Sequence, residues 1–239
     1  MILTTNGHAT GNGFITDVIS WDIGNWSTAL DYWTRYFPNG FENTLSLEIG
    51  AGRNGGLSLW LAQQGGNVIC SSHAQPYPQT VETHERYGLQ EKIRYETIDA
   101  LNIPYENHFD FVVFKSVLGG ISAFQQKEKA RQCIAQMHKA LKPGGAILFA
   151  ENLAGTALHM FFRNRFTSGK KDGWTYWQKK ELTTQFAEFS HFEYMTTGFA
   201  GCFGRTEAQK RFLTVWDKSI FNHIMPSAWR YIFIGIAQK

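Results

Sequence analysis

The sequence predicts an α/β fold, a doubly wound and mostly parallel sheet with helices on both faces. Three observations carry this. Strand-type and helix-type segments alternate from Leu45 to Ala150, which is the pattern of right-handed βαβ crossovers. A glycine turn, Gly50-x-Gly52-x-x-Gly55-Gly56, directly follows the first strand and opens a helix, as where backbone amides hold a small ligand at a helix start. The run His108–Phe114 is almost wholly apolar, as expected of a central strand buried on both faces. With 239 residues the chain suits one domain over 1–239, long enough to cover such a sheet.

Residues 1–19 are polar and glycine-rich and read as a draped segment. A helix then opens at Ser20-Trp21-Asp22, with Ile23, Trp26, Leu30, Trp33 and Phe37 forming an apolar stripe at helical period. Pro38-Asn39-Gly40 ends it. Its tryptophans suit core packing, with Trp21 or Trp26 over a ligand as the other reading. Thr44–Ile49 is strand one, and the helix after the glycine turn runs to about Gln64. Asn67–Ser71 is strand two, Pro76–Tyr87 a helix and Ile93–Ile98 strand three, leading into Asp99-Ala100. After the apolar fourth strand, Ala123–Leu141 reads as a long helix closed by Lys142-Pro143-Gly144-Gly145, and Ala146–Ala150 as strand five. The alternation pauses over 152–178, an insertion expected to form a lid. A helix over Gln178–Phe189, a strand over Phe192–Gly198, a helix over Thr206–Asn222 and a strand over Trp229–Ala237 complete the chain.

Composition excludes several classes. A hydrophobic content of 43% with 15% aromatic residues gives a filled core and argues against disorder. A net charge of +3 is too weak for a nucleic-acid footprint. Cys70, Cys133 and Cys202 are odd in number and form no C-x-x-C pair, so they read as free thiols of a reducing, cytoplasmic compartment. The first residues lack a basic-then-apolar leader pattern, and no apolar run approaches the ~20 residues of a membrane helix.

In an open α/β sheet the ligand lies beyond the carboxyl ends of the strands. The residues there are Glu48 with the glycines, then Ser71, Ser72 and His73, then Asp99 and Ala100, then Lys115 and Ser116, then Glu151 and Asn152. E-x-G-x-G at Glu48–Gly52, the Asp99-Ala100 pair after strand three, and LKPGG before strand five resemble the class I S-adenosylmethionine-dependent methyltransferases over roughly 45–151. The resemblance implies a seven-stranded sheet with its last strand antiparallel, and S-adenosylmethionine as cofactor. It implies that Gly50, Ala51 and Gly52 bring backbone close to the methionine part and that Glu48 holds that region. Asp99 and Ala100 would border the adenine, and Lys115 would shield the cofactor or meet an anion. At the end of strand two the family usually has an acid for both ribose hydroxyls, whereas Ser72 stands here and lacks two charged acceptors. His73 is a substitute. A nicotinamide-dinucleotide reading ranks lower, because it also wants that acid and has no use for Glu48 near a pyrophosphate.

Methyl transfer from a sulfonium is an in-line displacement that needs alignment, and a base only where the acceptor must lose a proton. For an oxygen acceptor the candidates are Glu151, just after strand five, and His159 in the insertion. Each has a plainer reading: Glu151 as a helix N-terminal or ion-pairing group, His159 as a packed histidine. Residues 151–180 hold Arg163, Arg165, Lys170, Lys171, Lys179 and Lys180 against only Glu151 and Asp172. The expected acceptor is therefore a small anionic molecule, such as a phosphorylated sugar or surface-glycan precursor, or one borne at a membrane surface. Met160, Phe161, Phe162 and Phe166 beside the arginines suit interfacial contact. A weak or inactive cofactor-binding homologue with a regulatory role is the alternative. No Asn-Pro-Pro-Tyr-like stretch follows strand four, which disfavours nucleic acid. No metal is called for.

Overall fold

A computed structural model describes residues 12–166 and 172–239. Its centre is one seven-stranded sheet in the order β3-β2-β1-β4-β5-β7-β6. The strands are β1 (Leu45–Glu48), β2 (Asn67–Ser72), β3 (Ile93–Thr97), β4 (Phe109–Lys115), β5 (Leu141–Asn152), β6 (His191–Thr197) and β7 (Ile232–Gln238). β1 to β5 run parallel, and β7 is antiparallel to both β5 and β6. The strand order reverses between β1 and β4, so both strands deliver their carboxyl ends to one crevice. Register fixes which residues arrive together: Glu48 lies beside Val113 and Cys70, and Lys115 beside Ala150.

The helices follow from apolar periodicity, with instructive departures. The segment expected to drape holds α1 (Asn12–Val18), whose Phe14 and Val18 are buried against the core; residues 1–11 of that reading lie outside the described residues. The stripe from Ile23 to Phe37 is cut at Ser27 into α2 (Ile23–Trp26) and α3 (Thr28–Tyr36). Asp22, in front of it, adopts φ +46°, a left-handed conformation that aspartate tolerates. α4 (Gly56–Gln63) and α5 (Pro78–Arg86) fall within the expected segments. The long helix expected from Ala123 starts only at Lys127, as α7 (Lys127–Ala140); Phe124 at φ +55° separates it from an unforeseen short helix, α6 (Leu118–Ile121). Strand five starts at Leu141, not Ala146, and LKPGG is absorbed as an irregularity opposite Phe109–Phe111. The insertion contains α8 (Ala157–Phe166), and α9 (Lys179–Thr184) follows. α10 (Glu207–Trp216) continues through a wider π-type turn, Asp217–Phe221, into α11 (Asn222–Ile224).

The two faces of the sheet carry separate apolar clusters. One packs α1, α3 and α4 against it through Trp26, Trp33, Phe41 and Trp60. The other packs α7 and α9 through Met137, Leu182 and Phe186, with Phe149 stacked on Phe186 at 4.3 Å and on Phe114 at 5.2 Å. A Cβ at Gly235 would lie 2.3 Å from the Phe149 ring, so only glycine leaves room for that stack. No described helix is long and apolar enough to cross a membrane. The three cysteines are free thiols, two of them buried.

Candidate functional site

The glycine turn is built around Glu48. Its carboxylate is buried and accepts hydrogen bonds from Leu57 N at 3.3 Å, Ser58 N at 2.8 Å and Ser58 Oγ at 2.5 Å. It therefore occupies the positive start of α4. Burial pushes its pKa up, against those same hydrogen bonds. Gly50, Gly52 and Gly55 take φ of +67°, +58° and +53°, values that favour glycine. A Cβ on Gly50 would sit 2.8 Å from Val117 Cγ2, and one on Gly56 2.0 Å from the Val18 carbonyl oxygen. The turn is thus clasped between α1 and the segment after β4. His84 of α5 fastens it from the other side, with Nε2 3.0 Å from the Gly55 carbonyl and Nδ1 2.8 Å from Tyr95 Oη. Burial holds that imidazole below its usual pKa.

Two adjoining cavities open on this turn and share Gly50, Gly52 and Ser116. The larger, about 570 Å³, runs past Ser72, His73, Asp99, Ala100 and Val117. The smaller, about 240 Å³, is bordered by Val18, Ser20, Glu48, Ala51, Arg53 and Lys115. Every residue expected to meet the cofactor therefore lies on one of two connected walls. Ser72 donates Oγ to the Ala74 carbonyl at 2.6 Å, and Asp99 accepts from Leu101 N at 2.9 Å. Lys115 is half-buried, with Nζ 5.0 Å from the centre of the Trp26 ring. Burial lowers its pKa, opposed by Glu151, Glu48 and Asp22 around it. The glycines leave the cradle free of side chains, and the cavity is of ordinary ligand size. The site thus fits an extended nucleoside with a charged tail. No cluster of metal-ligating side chains occurs among the described residues.

The two residues expected to act as bases are placed otherwise. Glu151 is fully buried, and its carboxylate accepts from Leu118 N and from Asn152 N, each at 2.8 Å. Burial raises its pKa to about 7 against those amides. It holds the start of α6, whose Gly120 and Ile121 line the larger cavity. His159 is also fully buried, with Nε2 2.8 Å from the Phe199 carbonyl and Nδ1 accepting from Thr156 N at 3.0 Å. It packs among Phe199, Phe203 and Tyr231, away from both cavities. Both carboxylate oxygens of Glu151 and both ring nitrogens of His159 thus already have partners, the latter accepting from Thr156 N and donating to the Phe199 carbonyl.

The basic insertion is corrected in part. Arg163 turns inward, donating to the Leu153 carbonyl with its guanidinium 4.4 Å from the Tyr176 ring, and Lys179 donates to Ser227 Oγ at 2.8 Å. Arg165 and Lys180 are exposed, while Lys170 and Lys171 lie outside the described residues. Residues 172–177 return along α6, where Thr175 N donates to the Gly119 carbonyl at 3.0 Å. A Cβ on Gly119 would be 2.3 Å from Trp174 Nε1, so the Gly119-Gly120 pair was the available sequence signal for this close approach. A buried cluster went unforeseen: Asp22 accepts from Tyr231 Oη and from Asn25 Nδ2, which also donates to Asp217 Oδ2 at 2.9 Å. Burial lifts Asp22 to about 7.

Comparisons with known proteins agree with this geometry. The family described as "Methyltransferase domain" matches residues 47–149. No curated protein matches by sequence. Among solved structures, Haemonchus contortus phosphoethanolamine N-methyltransferase 2 in complex with S-adenosyl-L-methionine is similar at TM-score 0.61 and 16% identity, covering 90% of this chain and 52% of its own. The chain thus spans about half the length of that protein. Burkholderia thailandensis 1,6-didemethyltoxoflavin-N1-methyltransferase, with S-adenosylhomocysteine bound, is similar at TM-score 0.55 and 15% identity over 89% and 76% of the two chains. The [4+2]-cyclase SpnF is similar at TM-score 0.57 and 18% identity over 90% and 82%. Identities this low speak for the fold, and the matched segment carries the glycine turn and the strand ends that line both cavities. Residues 47–149 thus match a methyltransferase domain, and the chain has the fold of enzymes solved with S-adenosylmethionine or S-adenosylhomocysteine bound.

Proposed function

We propose that this methyltransferase acts on a small anionic acceptor, an acidic sugar or glycan precursor, and methylates an oxygen that is already ionised at neutral pH. The observation that carries this reading is the wall of the smaller cavity. Glu48 spends its carboxylate on α4, so the charged groups left to face a ligand there are Lys115 and Arg53. A cationic wall favours an anion. With Glu151 and His159 both engaged elsewhere, an acceptor that needs no deprotonation fits best. Catalysis then rests on alignment.

When bound, S-adenosylmethionine supplies a methyl group on a sulfonium, an electrophile with a neutral leaving group. Gly50, Ala51 and Gly52 would hold its methionine end, Ser72 and His73 its ribose, and Asp99 with Ala100 its adenine. Glu48 would act on it through the shape of the turn. Ser20, Arg53 and Lys115 would orient the acceptor. Glu151 and His159 are positioning residues: one fixes α6, the other ties α8 to the segment before α10. The three free thiols suit a reducing, cytoplasmic compartment. The test is release of S-adenosylhomocysteine from a panel of uronic acids, sugar phosphates and their neutral parents. Turnover of the anionic members with a flat rate between pH 6.5 and 8 (about the span a histidine or raised carboxylate would mark) is expected. Equal turnover of neutral alcohols would overturn the assignment.

A further inference from the structure

The outer face of the helix running from Glu207 to Ile224 has the wrong polarity for a protein in water. A surface helix turns its apolar stripe inward. Here the inward residues are Lys210, Thr214 and Asp217, all at most 5% exposed. Lys210 and Asp217 meet polar partners: Lys210 Nζ donates to Glu207 Oε1 at 3.0 Å, and Asp217 accepts from the amides of Phe199, Ala200 and Gly201. Glu207 in turn accepts from Asp22 N at 2.9 Å. The outward residues are Phe212, Val215, Trp216, Ile220 and Ile224, between 38% and 65% exposed. Their spacing of three and four keeps them on one stripe for about 18 Å of helix.

The stripe does not stand alone. A groove lined by Phe203, Ala208 and Phe212 flanks it. Across that groove, Phe162 of α8 meets the Phe203 ring at 4.9 Å, and Arg205 lies 4.2 Å from the Phe166 ring. On α8, Leu158, Phe161 and Phe166 are exposed at 52%, 63% and 46%. An exposed apolar area of this extent marks an interaction surface.

Charge decides the occupant. Over 157–166 and 203–230 the exposed charged side chains are Arg165, Arg205, Arg211 and Lys218, and no acid there is exposed. Glu207 is half-buried and bonded, and Asp217 is fully buried. A copy of the same surface would set cation against cation. An anionic bilayer matches both properties, with aromatic and aliphatic side chains entering the headgroup boundary and arginine and lysine meeting phosphate. We propose that the α8–α10 face docks the enzyme on an anionic lipid surface. The inner side of the same helix holds Asp22 and, through Lys210 at 4.6 Å, the Trp21 ring, so docking presses on the segment that borders the smaller cavity. The proposal does not depend on which acceptor is methylated.

The test is flotation of the full chain with vesicles of phosphatidylcholine, with and without phosphatidylglycerol. Binding to the phosphatidylglycerol vesicles alone is expected, weakening as salt is raised. Replacing Arg211 and Lys218 by Gln should weaken it about thirtyfold. The pair Phe212→Ser and Trp216→Ser should abolish it while leaving calorimetric binding of S-adenosylhomocysteine unchanged, which shows that the variant is folded. Absence of flotation at low salt overturns the proposal. So does a concentration-dependent dimer of the wild type that the same two serine substitutions dissociate.

Discussion

Replacing Glu48 separates two ways in which an acid can serve this site. In Glu48→Ala, the amides of Leu57 and Ser58 lose a buried acceptor, and each orphaned donor costs about 1–3 kcal/mol. The two together predict a loss of about 4 kcal/mol in denaturant-derived stability, with the turn relaxing and S-adenosylhomocysteine affinity falling with it. Glu48→Gln is milder. The amide oxygen can stay on Ser58 N and Oγ, at 2.8 and 2.5 Å in the native chain. Only the longer 3.3 Å bond from Leu57 N is lost, a cost of about 1 kcal/mol, and removing a charge that burial disfavours offsets part of it. Glu48→Gln should therefore bind S-adenosylhomocysteine within about threefold of wild type, because neutral hydrogen bonds keep the turn in place. Calorimetry and urea unfolding on the same preparations check both numbers. Tenfold weaker binding by Glu48→Gln at undiminished stability would refute the reasoning, since the charge itself would then be meeting the cofactor.

Three further outcomes follow from distances in the site. Gly56→Ala places a methyl 2.0 Å from the Val18 carbonyl oxygen, so α1 must shift; a melting temperature lower by about 5 °C or more, read by differential scanning calorimetry, is expected. Ser72→Asp supplies the two charged acceptors that the resemblance places at the end of β2, and S-adenosylhomocysteine should bind about tenfold tighter; unchanged affinity would mean position 72 does not meet the ribose. Asp22, raised from 3.8 to about 7 by burial, contributes stability that is fully present below pH 3.8 and lost as pH rises through 7. Asp22→Asn keeps the left-handed backbone and should stabilise the protein at pH 8 by up to about 4 kcal/mol, with little effect near pH 4; equal shifts at both pH values in urea unfolding would contradict it.

The fold was legible wherever a signal is local. Alternating segments located all seven strands, and the glycines marked the crevice because left-handed φ at three positions of one turn has few other uses. Ser27, where one expected helix breaks into two, carries no such mark: the stripe from Ile23 to Phe37 keeps its period across the break. Nor does LKPGG reveal that it stays in the strand, since Leu141 pairs with Phe109 from a different element. The site was legible in position but not in orientation. Glu151 and His159 stand at suitable places along the chain. Glu151 accepts from Leu118 N, 33 residues away, and His159 Nε2 donates to the Phe199 carbonyl, 40 residues away, while its Nδ1 accepts from Thr156 N.

The carboxylates near Lys115 show why orientation matters more than count. Glu48, Glu151 and Asp22 converge on that ammonium from three separate segments. Glu48 and Glu151 each point at the amides that open a helix beside the cavities, and Asp22 accepts the Tyr231 hydroxyl while its own amide donates to Glu207. An acid at the end of a strand is therefore first a device for seating the next helix, because buried amides need an acceptor whatever the ligand. Burial raises all three pKa values, which marks them as costly to ionise and so poorly suited to act on solvent-borne substrate. What remains to face a ligand in the smaller cavity is backbone, hydroxyls, Lys115 and Arg53. That inventory suits a reaction in which the cofactor brings the reactivity, the acceptor brings its own negative charge, and the protein brings the two into line.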